Sequence, residues 1–162
     1  MNYGYFDNKN REYVITNPQT PTPWMNYIGN GGFGGIVSAT GGGLTFDSDP
    51  SNRRVTRYKF NNQPMDRPGR YLYIRDEESG DYWSATWQPV MKEAQEYECR
   101  HGLGYTTITG RYSDIASSVT YCVPLGKRYE LWSVVLKNES EKTRRLKVYS
   151  YVEFSFHDAK WD

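Results

Sequence analysis

Residues 71–90, YLYIRDEESGDYWSATWQPV, constrain the fold of this chain more than any other stretch. Leu72 and Ile74 alternate with Tyr71, Tyr73 and Arg75, the period-2 pattern of a strand with two different faces. The polar run 76–80 ends in Gly80 and suits a hairpin turn of four or five residues. The return strand is expected to place Trp83, Ala85 and Trp87 on one face and Tyr82, Ser84 and Thr86 on the other. Pro89 removes a ladder donor and ends it. Aromatic rings fixed on such a hairpin serve as core, as an interface or as a platform for sugar rings.

The rest of the chain follows the same grammar. Aromatics make up 16% of the 162 residues, 15 of them Tyr, and 15 glycines punctuate short β-branched runs. This composition points to one all-β domain over residues 1–162, with a core of useful size. Strand patterns are expected at 12–16, 36–40, 44–47, 97–105, 106–110, 115–123, 131–138 and 146–156, with an edge strand at 53–60. Pro18, Pro21 and Pro23 make residues 17–24 an extended connector. Residues 61–62 and 66–69 read as turns. Strands recurring every 8–12 residues without helical periods predict an antiparallel β-sandwich. The last strand lies close to Asp162 and has no cap, so the sandwich reads as truncated, with apolar faces and edges left to self-associate.

Charge and hydropathy exclude several classes. A formal net charge of +1 gives no electrostatic footprint for nucleic acid. No window approaches the apolar length of a membrane span, and the first residues carry no signal-peptide core. Cys99 and Cys122 alone make no disulfide framework, and the expected setting is cytoplasmic with reduced thiols.

Candidate chemistry is sparse. Gly29, Gly31 and Gly34 fit G-x-G-x-x-G, but no helix pattern follows, so close backbone approach or a turn explains them better than a nucleotide cradle. Asp47 and Asp49 belong to a turn, since the glycine and closing glutamate of a calcium loop are missing. Cys99, His101, Cys122 and His157 are the only thiol and imidazole ligands, and without a C-x-x-C pair they predict no metal site. Cys99 and His101 sit two apart on one strand, with Cα atoms about 7 Å apart, too loose for a nucleophilic pair. Glu77, Glu78, Glu96 and Glu98 offer no assignable partner across a sugar. Glu153 lies within an aromatic strand, and ion pairing with Arg54, Arg57 or Arg100 is its expected role. Trp83 and Trp87, with Tyr71 and Tyr73, are the candidates for stacking on a sugar ring.

As a set, the residues are more specific. Tyr3-Gly4-Tyr5-Phe6-Asp7 with residues 10–16, Thr20-Pro21-Thr22-Pro23-Trp24 with Asn26-Tyr27, and Arg53-Arg54-Val55-Thr56-Arg57-Tyr58 come first. Asp66-Arg67-Pro68-Gly69-Arg70-Tyr71, Gly80-Asp81-Tyr82-Trp83-Ser84, Arg100-His101-Gly102-Leu103-Gly104-Tyr105 and Ser150-Tyr151-Val152-Glu153-Phe154 follow in order. Over its whole length the chain resembles the N-terminal β-sandwich, of supersandwich type, of cellobiose and chitobiose phosphorylases (glycosyltransferase 36, or glycoside hydrolase 94). The resemblance implies an intracellular, homodimeric, inverting enzyme. Such an enzyme splits a β-linked disaccharide with inorganic phosphate into a sugar 1-phosphate and a free sugar. Phosphate is the co-substrate, and no metal or organic cofactor is implied. The general acid and the phosphate-binding residues belong to a helical barrel outside this chain, so no catalytic residue is carried over. The glycine runs 31–35 and 41–43 exceed those of cellobiose-specific relatives and leave the disaccharide open. The alternatives are a carbohydrate-binding module using Trp83 and Trp87, or a structural dimerisation sandwich.

Overall fold

The computed structural model describes residues 2–57 and 70–156. Among these residues there are twelve strands and no helix. They form an all-β assembly of three antiparallel sheets.

The largest sheet has six strands in the order β1-β2-β8-β9-β10-β11. β1 (Gly4–Asp7) and β2 (Glu12–Ile15) form the N-terminal hairpin. β8 (Glu96–Gly102), β9 (Tyr105–Tyr112), β10 (Ile115–Cys122) and β11 (Leu131–Asn138) form a meander. β2 joins the two parts by pairing with β8, Ile15 opposite Cys99. Two three-stranded sheets complete the fold. One is β3 (Met25–Gly29), β4 (Phe33–Ser38) and β5 (Gly43–Asp47); the other places β6 (Arg70–Asp76) between β12 (Leu146–Val152) and β7 (Tyr82–Ser84).

The core lies where the small sheets meet the large one. β10 alternates strictly, with Ile115, Ser117, Val119 and Tyr121 buried, as expected of a strand with one covered face. Ile28, Phe33 and Val37 from one small sheet and Leu72, Ile74 and Trp83 from the other join the same apolar cluster. Gly43 shows why the glycine run exists. Its φ is +126°, and a Cβ there would stand 1.9 Å from the Ile36 carbonyl oxygen, so only glycine fits.

The expected hairpin exists, with β6 and β7 paired through Ile74 and Trp83. Its return strand is shorter than the pattern suggests and ends at Ser84. Trp87 has φ +76°, a left-handed backbone that turns the chain out of the ladder, so it does not continue the face of Trp83. The break expected between the strands at 97–105 and 106–110 falls two residues earlier, because Leu103 and Gly104 (φ +83°) form a tight turn between β8 and β9. β1 and β3 are additional strands. Residues 153–156 lie beyond β12, where Phe154 keeps one bridge to Thr56. Of the edge strand expected over 53–60, the described part makes only that bridge and one between Arg54 and Phe46. Its remaining residues, the turns at 61–62 and 66–69, and His157 lie outside the described residues.

Candidate functional site

Trp83 and Trp87 occupy different environments. Trp83 is 3% exposed, and its ring packs tilted against Tyr112 with centroids 5.1 Å apart. It offers no open face to a sugar ring in this structure. Trp87 is half-buried and borders a cleft shared with Thr20, Pro23, Trp24 and Met91. Tyr71 is buried, while Tyr73 stands edge-on to Tyr151 at 6.5 Å.

Cys99 and His101 share one face of β8, with Sγ 3.7 Å from Nδ1. The contact is structural. His101 Nε2 lies 3.1 Å from the Trp24 carbonyl, which only accepts, so Nε2 carries the proton. Nδ1 then accepts from the Thr106 hydroxyl at 3.0 Å. Burial lowers the imidazole's pKa and pushes the Cys99 thiol well above its usual range, so neither an imidazolium nor a thiolate is favoured. Cys122 is half-buried. Among the described residues no three His, Cys, Asp or Glu side chains cluster in a way that could hold a metal ion.

The acidic candidates resolve into local pairs. Glu77 meets Lys147 at 2.7 Å, Glu96 meets Arg111 at 2.5 Å, and Glu78 is exposed. Glu153 lies 3.9 Å from Arg57, the ion-pairing role expected of it. Asp47 pairs with Arg128, and Asp49 accepts from the backbone of Ser51 and the side chain of Asn52. Gly29, Gly31 and Gly34 lie along the β3–β4 hairpin, with Gly31 at φ +88° in its turn, so no helix N-terminus is present to hold a phosphate.

Sequence patterns do not reveal the most organised polar cluster. Arg100 on β8 reaches Glu12 at 2.8 Å, Glu98 at 2.6 Å and Asp7 at 3.2 Å. Tyr105 donates its hydroxyl to Glu12. Hydrogen bonds from Asn10 hold Asp7 below the usual carboxylate range. The Tyr105 hydroxyl, then Arg100, does the same for Glu12. The cluster adjoins a cleft of about 830 Å³ floored by Tyr13 and Trp24, whose ring centroids are 5.7 Å apart. One signal for it exists in the sequence. Glu12 shares the alternation phase of Val14, and a carboxylate on the buried face of a strand requires a partner.

The described residues thus make an all-β scaffold of ion-paired surfaces, with no activated nucleophile and no paired acid and base. Comparison with known proteins names this class. Residues 11–162 match the family described as "Glycosyl hydrolase 94, supersandwich domain", and the chain belongs to that family. It is 48% identical over 164 residues to the N,N'-diacetylchitobiose phosphorylase of Vibrio proteolyticus, covering 100% of this chain and 20% of the relative. The Vibrio furnissii N,N'-diacetylchitobiose phosphorylase is 46% identical over 96% of this chain and 20% of its own length. The solabiose phosphorylase of Paenibacillus borealis is 40% identical over 94% of this chain, again 20% of its length. The chain therefore spans about a fifth of the length of these relatives.

Proposed function

We propose that this chain is the N-terminal supersandwich part of a disaccharide phosphorylase. The complete enzyme cleaves a β-linked disaccharide with inorganic phosphate, with inversion, giving a sugar 1-phosphate and a free sugar. This part supplies scaffold, subunit contacts and walls of the substrate site, while the reacting groups lie in the remainder of the enzyme. The reading carries with it a cytoplasmic homodimer that needs no metal or organic cofactor.

The observation that carries it is the 48% identity to a phosphorylase along the whole chain. The uncovered faces of the edge strands support it. A cross-strand row runs Ile15, Cys99, Ile108, Val119, Val134. Its first four members are fully buried, but Val134 is 37% exposed. In the β12-β6-β7 sheet the row Trp83, Ile74, Val148 ends the same way, with Val148 at 47%. Apolar rows that lose their cover at β11 and β12 suit a scaffold that packs against more protein.

Two assays test the reading. The chain alone, given cellobiose or N,N'-diacetylchitobiose and phosphate, releases no sugar 1-phosphate. A chimera in which it replaces the matching part of the Vibrio proteolyticus enzyme phosphorolyses N,N'-diacetylchitobiose. Sugar 1-phosphate from the chain alone, or a folded but inactive chimera, contradicts it.

A further inference from the structure

The loop after β7 holds two side chains in an unusual way. Arg11, Ser113 and Asp114 have positive φ in hairpin turns, and Ser48 has it just after β5. Trp87 (φ +76°) and Met91 (φ +58°) lie in no hairpin turn, yet share the left-handed backbone. Large side chains rarely adopt it, and such conformations concentrate where ligands are held. Both residues line one cleft of about 230 Å³, opposite residues 18–24 of the proline-rich connector.

Both walls are set before any ligand arrives. On one, the Met91 amide donates to the Trp87 carbonyl at 2.8 Å and the Val90 amide to the Ser84 hydroxyl at 3.1 Å. Lys92 anchors the end of this loop by pairing with Asp81 and lying over the Tyr112 ring. On the other, the Trp24 carbonyl accepts from the Ala39 amide at 2.8 Å, and the Trp24 ring stands edge-on to Tyr3. A cleft formed in advance lowers the ordering cost of binding.

The lining has a distinct chemistry. It contains no Asp, Glu, Lys, Arg or His, so it selects neither an anion nor a cation. Trp24, Trp87 and Met91 supply apolar surface. Gln19 and Gln88 also line the cleft, and among the described residues their side-chain amides bond to nothing. A carboxamide both donates and accepts. A purely apolar ligand leaves these groups unmatched, whereas a hydroxyl-bearing ring with an apolar face meets both kinds of surface. The volume lies below the usual range of about 300–1,000 Å³ for ligand pockets, so one sugar ring enters and a second stays outside.

We propose that this cleft binds a single neutral pyranose, packed against Trp87 with its hydroxyls bonded to the carboxamides of Gln19 and Gln88. Only the choice of sugar rests on the function proposed above.

Saturation-transfer NMR of the chain with glucose, N-acetylglucosamine and cellobiose, without phosphate, tests the assignment. Saturable transfer is expected, with cellobiose bound about as tightly as glucose. Gln88→Ala weakens binding about two- to tenfold, the worth of one hydrogen bond, and Trp87→Ala weakens it further. Gln19→Ala, at an exposed position, weakens it without touching the core, and near-ultraviolet circular dichroism checks the fold of each variant. Phe6→Ala, outside the cleft, leaves binding unchanged. No transfer to any of the sugars overturns the proposal, as does binding that Gln19→Ala and Gln88→Ala leave unchanged. Cellobiose bound more than tenfold tighter than glucose overturns the one-ring assignment. Transfer to a hexaproline peptide and to no sugar makes the cleft a polyproline groove and overturns it too. A phosphorolysing chimera with no sugar transfer to the chain removes this site alone, whereas an inactive chimera with transfer intact removes only the phosphorylase reading.

Discussion

Arg70 and Glu130 form a buried ion pair, Nε to Oε1 at 2.6 Å, that touches all three sheets. Arg70 belongs to β6, donates to the Ile36 carbonyl on β4 at 3.0 Å and lies over the Tyr121 ring of β10. Glu130 accepts from Thr45 on β5 and from Trp132 on β11. Removing one partner strands a buried charge, so Arg70→Met is expected to cost about 3–5 kcal/mol. Adding Glu130→Gln relieves the stranded carboxylate and recovers part of the loss. Urea unfolding of both variants checks this, and equal or greater loss in the double variant refutes the coupling.

The two tryptophans of the 71–90 stretch separate by stability. Trp83→Ala opens a cavity between β7 and Tyr112 and is expected to cost about 3–5 kcal/mol. Trp87→Ala, at a half-buried turn position, costs about 1–2 kcal/mol. Thermal melts monitored by circular dichroism show whether this order holds.

Part of the chain's acid sensitivity is expected at the Arg100 cluster. Hydrogen bonds lower the folded-state pKa values of Asp7 and Glu12 below 3.8 and 4.5 respectively. Groups depressed on folding stabilise the native state above their unfolded pKa values, and that stability is lost as pH falls through the folded ones. The cluster's contribution is thus constant from neutral pH to about 5 and declines below about 4.5. Arg100→Met removes part of the pH dependence in that window and none above it. Denaturant midpoints measured between pH 3 and 7 would expose an identical slope in the variant and so refute the assignment.

On its own the chain is expected to self-associate through β11 and β12. Val135 is 61% exposed on β11, and Tyr149 is exposed on β12. Edge strands that carry apolar side chains template pairing with other chains, and lysine on the edge opposes it. Val135→Lys with Tyr149→Lys shifts the sedimentation profile toward monomer, whereas a wild-type chain already monomeric at high concentration contradicts the prediction.

The thiols are expected to react in a fixed order. Cys99 is fully buried with its thiol pKa raised, and Cys122 is partly accessible. A thiol-reactive dye labels Cys122 in the native state and Cys99 only on unfolding; rapid native labelling of Cys99 would argue against the burial.

The strands easiest to read in the sequence are those whose burial alternates cleanly. β10 is legible because Ile115, Val119 and Tyr121 recur at even spacing and face one covered side. β3 is not, because Met25, Asn26, Tyr27 and Ile28 show no alternation and follow three prolines. Its place is set by pairing with β4 and by Asn26 reaching the β8–β9 turn. The break between β8 and β9 hides for a similar reason, since Gly102 and Gly104 read equally well as strand relief or as a turn. The Arg100 cluster is illegible as a whole because its members come from two hairpins, β1–β2 and β8–β9, far apart in sequence. The resemblance carried by the ordered motifs from Tyr3 to Phe154 survives these local gaps. It rests on many positions at once and on no single period.

The pairing of β2 with β8 has a consequence for the order of assembly. β8 to β11 are joined by short turns and can zip up locally. The N-terminal hairpin must wait for a partner more than half the chain away, Ile15 meeting Cys99. Long-range pairing is paid late in folding because loop closure precedes its reward. During synthesis, therefore, β1 and β2 are made before β8 yet are incorporated into the large sheet only after it, and Asp7 and Glu12 meet Arg100 only at that late step.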